Sequence, residues 1–263
     1  MKNEKSEPII EIKNLTTKLG GDTIHENLNM TVYKGEVVAI VGGSGSGKTT
    51  LLRQMLNLIK PSSGSIKIFG IDITKAKYEE LLAIQQRWGV LFQQSALFSS
   101  LTVLENTAFP LIEHTTLDKK TLKKLSLLKI LLAGLPEESA NKYPSELSGG
   151  MVKRAGVARA IAMDPELLFL DEPTSGLDPV NAASFDELIL DLTSTMGLTV
   201  VMVTHDLDSL WHVADRVAFL GEGKVLAIAP MVELMKNPHP LIQEFFNGPR
   251  GKVAQKGYED DGH

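Results

Sequence analysis

The chain has 263 residues, 43% of them hydrophobic and 22% charged, the balance of an ordinary globular protein. That length suits one generous α/β domain, or a core domain carrying an inserted subdomain. Lys+Arg 27 against Asp+Glu 32 leaves a net charge of −5, so no global positive field recruits nucleic acid or anionic lipid. With no cysteine, disulfides, thiolate metal sites and cysteine nucleophiles are excluded.

The opening MKNEKSEP is charged and does not read as a secretory signal. No apolar run approaches the roughly 18–20 residues of a membrane helix, and the most leucine-rich stretch, 125–135, is broken by Lys129. A cytoplasmic location is expected, with any work at a membrane needing a partner that spans it. Residues 9–15 read as a strand, and Leu28, Met30 and Val32 alternate with polar residues in a second. Residues 37–41 are all apolar, as in a strand buried on both faces. A glycine-rich turn follows, then a helix over 48–59, a break at 61–64 and a strand over 65–69. From 95 to 163 strand signals fade and helical spacing dominates, with one helix over 118–133. Residues 167–170 form another buried strand, 179–196 a helix with Pro179 in its first turn, and 199–203 and 216–220 strands flanking a helix over 206–214. Strands alternating with helices predict a mainly parallel, doubly wound α/β fold. The polar, glycine-rich end, 249–263, reads as a flexible tail.

Gly42, Gly43, Ser44, Gly45, Ser46, Gly47, Lys48 and Thr49 fit G-x-x-x-x-G-K-[ST] between a strand and a helix. Glycines let backbone N–H groups converge on phosphate oxygens, and the helix N-terminus adds unpaired donors and its positive dipole end. Lys48 supplies a point charge for the β- and γ-phosphates. Thr49 offers a hydroxyl to Mg²⁺, an ion that keeps several of its waters. The strand at 167–170 ends in Asp171 and Glu172, at the sheet edge where ligands sit in open α/β folds. Asp171 suits Mg²⁺, and Glu172 suits the orientation or deprotonation of an attacking water. The 123 residues between Lys48 and Asp171 require a long insert, matching the helical stretch.

Three further motifs accompany these. Leu147, Ser148, Gly149, Gly150 and Met151 begin a helix-like run through 162; Gln93 follows the strand-like 90–92; and Thr204, His205 and Asp206 follow the strand at 199–203. With Ser175, Gly176, Leu177 and Asp178, the set resembles the ATP-binding subunits of ABC transporters over residues 9–248. The resemblance implies a P-loop NTPase core over about 8–94 and 164–248, an N-terminal antiparallel β region, and a helical subdomain over about 95–163, all within one domain, 1–248. It implies ATP and Mg²⁺, with Thr50 completing the phosphate loop and Thr49, Gln93 and Asp171 serving the ion. It also implies a head-to-tail homodimer, in which the loop of Ser148, Gly149 and Gly150 meets the ATP held by the other copy and Asp178 lies at the seam. Glu172 would act on the water, His205 on the γ-phosphate, and Gln93 would report on the ion to the insert. Leu19 stands where the family commonly has an aromatic that stacks on adenine. Apolar contact is kept and ring stacking is lost, so preference for ATP over GTP is left open. Met151 replaces a frequent Gln and Gly43 a frequent Pro.

Within the family, the runs at 91–98, 105–110, 147–151 and 241–248 are similar to the ATPases of MCE/Mla-type phospholipid transport systems. That likeness implies an integral membrane permease, a periplasmic MCE-domain lipid carrier, in some systems a small cytoplasmic partner, and a place at the cytoplasmic face of an inner membrane. The ATPase of another ABC importer or exporter, or of a soluble ABC-type assembly system, is the alternative. Ala96, Leu97, Phe98 and Leu101 suit a groove for a short permease helix. The leucine-rich run 122–135 is expected to be the packed face of a helix. His25, His114, His212 and His239 lack partners at metal-ligand spacing and receive no role.

Overall fold

The structure is a computed structural model, and it describes residues 7–247. The expected flexible tail, 249–263, lies outside them. By contacts the chain divides into two compact units, one running to Ile84 and resuming at Val201, the other Gln85–Val200.

The first unit begins with two long strands, β1 (Pro8–Leu19) and β2 (Asp22–Tyr33), paired antiparallel around the turn Gly20–Gly21. Ile12 faces Met30 and Leu15 faces Leu28 across this ladder. Between those pairs the register shifts, and Asn14 sits at φ 48, a left-handed conformation that Asn tolerates better than most residues. Next comes β3 (Val37–Val41), buried on every residue, then helix α1 (Lys48–Met55). The helix is shorter than the expected 48–59. Asn57 adopts φ 56, and the Leu58 and Asn57 amides donate to the Arg53 and Gln54 carbonyls, a Schellman stop. Strand β4 (Ser63–Ile68) pairs antiparallel with β1, Ile10 facing Ile68 and Ile12 facing Ile66. It starts earlier than expected and ends at Phe69, whose φ is 51. The short β5 (Ile71–Asp72) completes a four-stranded sheet in the order β2-β1-β4-β5. Helix α2 (Tyr78–Gln85) has only Ile84 buried, too weak a periodicity to be seen in the sequence.

In the second unit, β6 (Trp88–Leu91) and β7 (Leu167–Asp171) pair in parallel, Trp88 beside Leu167 and Leu91 beside Leu170. Strand β6 ends one residue before the expected 90–92, so Gln93 lies two residues past it. Gly89 is required there: a Cβ would stand 2.2 Å from the Ala160 carbonyl oxygen. The intervening chain is helical. Helix α3 (Val103–His114) opens with a reciprocal capping box between Thr102 and Glu105. Helix α4 (Lys119–Leu132) is capped by Asp118 and α5 (Gly149–Ala160) by Ser148. Helix α6 (Pro179–Met196) is capped by Asp178 and stops at Gly197 in the left-handed conformation.

The leucine-rich run needs correction. The buried face of α4 carries Ser126, Lys129 and Ile130, while Leu128 and Leu131 are 48% and 47% exposed. The buried Lys129 ammonium pairs with Asp164 on that face, and Leu128 and Leu131 lie outside it.

Strand β8 (Thr199–Val203) is buried on every residue. In the resumed first unit, α7 (Leu207–Val213) is capped by Asp206, and β9 (Arg216–Gly221) pairs in parallel with β3, Ile40 beside Ala218. The unexpected β10 (Lys224–Ala229) folds back antiparallel on β9 through Glu222 and Gly223, both at positive φ. Helices α8 (Met231–Leu234) and α9 (Pro240–Asn247) follow, and Phe219, Phe245 and Phe246 meet at 5.0–6.1 Å between ring centres. Outside the antiparallel N-terminal sheet the pairing is mostly parallel, as where β3 meets β9 and β6 meets β7, and helices accompany it, as the sequence predicts. No helix among the described residues is long and apolar enough to cross a membrane.

Candidate nucleotide site

In the first unit the fully buried β3 delivers the chain at Val41 into the loop Gly42 to Thr50. Gly42 has φ 150, and a Cβ there would stand 2.1 Å from the Leu220 carbonyl oxygen, so only glycine fits beside β9. Gly45 and Gly47 also take positive φ. The Ser46 amide donates to the Gly43 carbonyl at 3.2 Å, closing the turn. Gly47 is the N-cap of α1 and offers no side-chain cap, which leaves first-turn amides available to an anion. Lys48 folds over the loop, its Nζ donating to the Gly42 and Gly43 carbonyls at 2.8 and 2.9 Å. Thr49 is exposed; Thr50 is half-buried. The loop's carbonyls thus hold the Lys48 ammonium beside the N-terminus of α1, a pairing of positive charge and helix end suited to phosphate oxygens.

A cavity of about 630 Å³ borders Gly43 to Ser46 and is walled by Ile24, Phe219, Leu241 and Phe245. Lys48 and Leu19 do not line it. Leu19 lies at the end of β1, 40% exposed, opposite Asp22 across the turn. His205 is exposed between the buried Thr204, which accepts from the Asp206 amide at 3.0 Å, and Asp206 itself, the cap of α7.

In the second unit, Asp171 closes β7 half-buried, and Glu172 follows at φ 48. A glutamate in the left-handed region is strained, a feature that clusters at functional sites. The structure adds a residue that the sequence did not flag. Lys153, on α5 and only 6% exposed, donates from Nζ to the Gln93 carbonyl at 2.5 Å and to the Glu172 carbonyl at 3.3 Å. Burial pushes its ammonium below the usual lysine range, while the negative charges of Asp171 and Glu172 oppose that shift. One ammonium thus ties the segment after β6 to the segment after β7. Arg159, also on α5, donates to the Ser95 and Ala96 carbonyls at 2.8 and 2.6 Å, holding both residues at positive φ. Of the expected groove residues, Phe98 and Ala96 are exposed, Leu97 and Leu101 half-buried, and Phe98 packs on Phe109 at 4.8 Å.

Ser148 caps α5, its Oγ accepting from the Met151 amide at 3.4 Å, with Gly149 and Gly150 opening the helix. A Cβ on Gly150 would lie 3.4 Å from Asn181 Oδ1. The same Asn181 donates from its amide and its side chain to Asp178, which lowers the Asp178 carboxyl pKa. Ser148, Gly149 and Gly150 are therefore brought beside the turn of Asp178. Among the described residues no three His, Cys, Asp or Glu side chains cluster as a metal cage. Mg²⁺ requires no such cage, because it takes few protein ligands and relies on phosphate oxygens and water.

Comparison with known proteins agrees with this chemistry. The profile of a family described as "ABC transporter" matches residues 25–175. The "Intermembrane phospholipid transport system ATP-binding protein MlaF" of Haemophilus influenzae is 40% identical over 240 residues, 91% of this chain and 90% of that protein. The "Probable ribonucleotide transport ATP-binding protein mkl" of Mycobacterium tuberculosis is 38% identical over 253 residues, 96% of this chain and 70% of that protein. A dimeric structure of the ATP-binding cassette MJ0796, in a post-hydrolysis state bound to ADP and Pi, matches with a TM-score of 0.77 at 34% identity, covering 84% of this chain and 98% of that one.

Proposed function

The chain belongs to the ABC transporter family, as an ATP-binding subunit whose hydrolysis of ATP is coupled to transport, and we propose that it powers phospholipid movement between the inner and outer membranes as the ATPase of an MCE/Mla-type complex. The observation that carries this reading is the likeness to the Haemophilus influenzae MlaF along nine-tenths of both chains. A second reading has its own support: the mkl likeness is equally broad on this chain, and it favours an ABC system with another substrate.

In the proposed mechanism the amides of Gly42 to Thr50 and the Lys48 ammonium bind the phosphates of ATP, and Leu19 gives apolar contact to the base. Thr49, Gln93 and Asp171 would hold Mg²⁺, which would supply neutralisation of phosphate charge. Glu172 accepts a proton from the attacking water, and His205 hydrogen-bonds the γ-phosphate. Two copies stack head to tail, so that Ser148, Gly149 and Gly150 of each present a capped helix N-terminus to the nucleotide of the other, with Asp178 at the seam. Binding closes the dimer and hydrolysis reopens it, a switch driven by differential affinity for the two states. The helical subdomain is placed at about 95–163 within a single domain, 1–248, and Ala96, Leu97, Phe98 and Leu101 receive a permease helix. The proposed partners are that permease, a periplasmic MCE-domain lipid carrier and a small cytoplasmic protein, and the proposed location is the cytoplasmic face of the inner membrane. The acidic balance of the chain gives no support to a nucleic-acid partner.

The test is to purify the complex from membranes, identify its chains and extract its lipids. A permease, an MCE-domain chain and bound phospholipid are expected. A permease without an MCE chain or lipid overturns the phospholipid reading in favour of the second one, and absence of any permease overturns both.

A further inference from the structure

A buried polar chain lies behind the phosphate loop. His25, on β2, is fully buried; its Nε2 lies 3.2 Å from the Gly47 carbonyl oxygen and its Nδ1 lies 3.0 Å from Thr17 Oγ1. Thr17, on β1, and Gln54, on α1, are buried too, and Gln54 Nε2 donates to Thr17 Oγ1 at 2.9 Å. The acceptors settle the proton positions. A carbonyl only accepts, so Nε2 carries the ring proton; in the neutral ring Nδ1 then accepts from the Thr17 hydroxyl, which has Gln54 Oε1 as a longer alternative acceptor at 3.2 Å and whose lone pair takes the Gln54 amide. Desolvation holds the imidazole pKa below its ordinary value, consistent with this neutral tautomer.

The Gly47 carbonyl also accepts the Leu51 amide at 2.8 Å, the first turn of α1. Both its lone pairs are therefore engaged, and the direction of the 47–48 peptide plane is set from two sides. In a trans peptide the N–H points opposite to the C=O. Pulling the Gly47 carbonyl back toward His25 and the helix aims the Lys48 amide outward, where an anion on the helix N-terminus would lie. Gly47 has φ 95, and a Cβ there would stand 2.5 Å from His25 Nε2, so ring and loop are in direct contact.

We propose that His25 is a positioning residue for nucleotide binding, holding the Gly47–Lys48 peptide with its amide toward the phosphates, and that Thr17 and Gln54 fix the ring nitrogen that does so. The inference rests on the reading of Gly42 to Thr50 as the phosphate site.

The experiment is an ATP titration and a steady-state analysis of the full chain carrying His25→Leu, His25→Gln, Thr17→Val or Thr17→Ser, with Lys48→Ala as control and thermal unfolding measured on each. One hydrogen bond's net worth predicts that His25→Leu raises Kd and KM for ATP about threefold to tenfold, with kcat at saturating ATP within about twofold. His25→Gln, whose side-chain amide can donate from a similar place, brings KM back toward the native value. Thr17→Val shifts KM in the same direction by less, and Thr17→Ser does not. A folded His25→Leu protein with native Kd overturns the proposal, as does one that loses kcat at constant KM. Should His25→Leu fail to fold, Thr17→Val decides, and a native Kd in it overturns the proposal. Lys48→Ala separates the two layers: native nucleotide binding in that variant overturns the phosphate-site reading itself, whereas lost binding there with native binding in His25→Leu overturns only the role of His25.

Discussion

The glycine-rich loop before α1 and the carboxylates at the end of β7 are set by different physical means. Around Gly42 to Thr50 the shape comes from glycines at positive φ and short backbone contacts, with Lys48 reaching carbonyls no more than six residues away. Around Asp171 and Glu172 it comes from a buried cation on α5, Lys153, which donates to a carbonyl 60 residues away, while the half-buried Arg159 holds the Ser95 carbonyl 64 residues away. A glycine-built loop tolerates little change in its own residues, and distant supports such as His25 act on the set of its backbone. A cation-clamped site can be loosened from afar, because removing the donor deletes charge-assisted hydrogen bonds worth about 1.5–3 kcal/mol each. The first region is thus read best through nucleotide affinity, the second through turnover.

The largest expected effect falls on the second region. Glu172→Gln keeps the shape of the side chain and removes its basicity. ATP binding persists, turnover falls about 10²- to 10⁴-fold, and closed dimers accumulate in size-exclusion runs with ATP. Native hydrolysis by that variant would remove Glu172 from the chemistry. Ser148→Arg places a bulky cation at the cap of α5; a single chain still binds nucleotide, while turnover in the dimer is lost. Full activity there would contradict a site completed by the second copy.

Lys153→Met tests the comparison itself. It conserves length and apolar bulk but deletes both carbonyl contacts and the charge beside Asp171 and Glu172. Turnover is expected to fall about tenfold, the equivalent of one charge-assisted hydrogen bond, with ATP Kd unchanged and the melting temperature lowered. A raised Kd at constant kcat would move the clamp to the binding side, and the contrast between the two regions would fail.

That contrast also explains what was legible in the sequence. Spacing of glycines, Lys48 and Thr49 encodes a local geometry, and the all-apolar strands 37–41 and 199–203 announce themselves, as do the caps Asp118, Ser148 and Asp178. The clamps were not legible, because nothing in the run after Gly150 says that Lys153 turns inward to carbonyls on two other segments. His25 was passed over for the same reason: its partners, Thr17, Gln54 and Gly47, are scattered over three elements, and a search for metal-ligand spacing ignores them. The leucine-rich α4 is a related case, since a leucine count does not show that Lys129 lies on the buried face, paired with Asp164. Strand β10 has half-buried residues with no strict alternation, so it carried little signal.

The smallest effect probes the edge of the first region. Leu19 follows a bulged strand, and its 40% exposed side chain offers an apolar surface without a π-face. Hydrophobic contact alone does not distinguish adenine from guanine, because both purines present similar apolar faces. In a competition assay on the native chain, GTP is therefore expected to displace ATP at concentrations within a few-fold of those at which ATP displaces itself. Leu19→Tyr should tighten ATP binding by about twofold to tenfold, the worth of one aromatic stack, with kcat unchanged. A strong native preference for ATP would show that groups other than residue 19 read the base, and an unchanged Kd in Leu19→Tyr would place the base away from the end of β1.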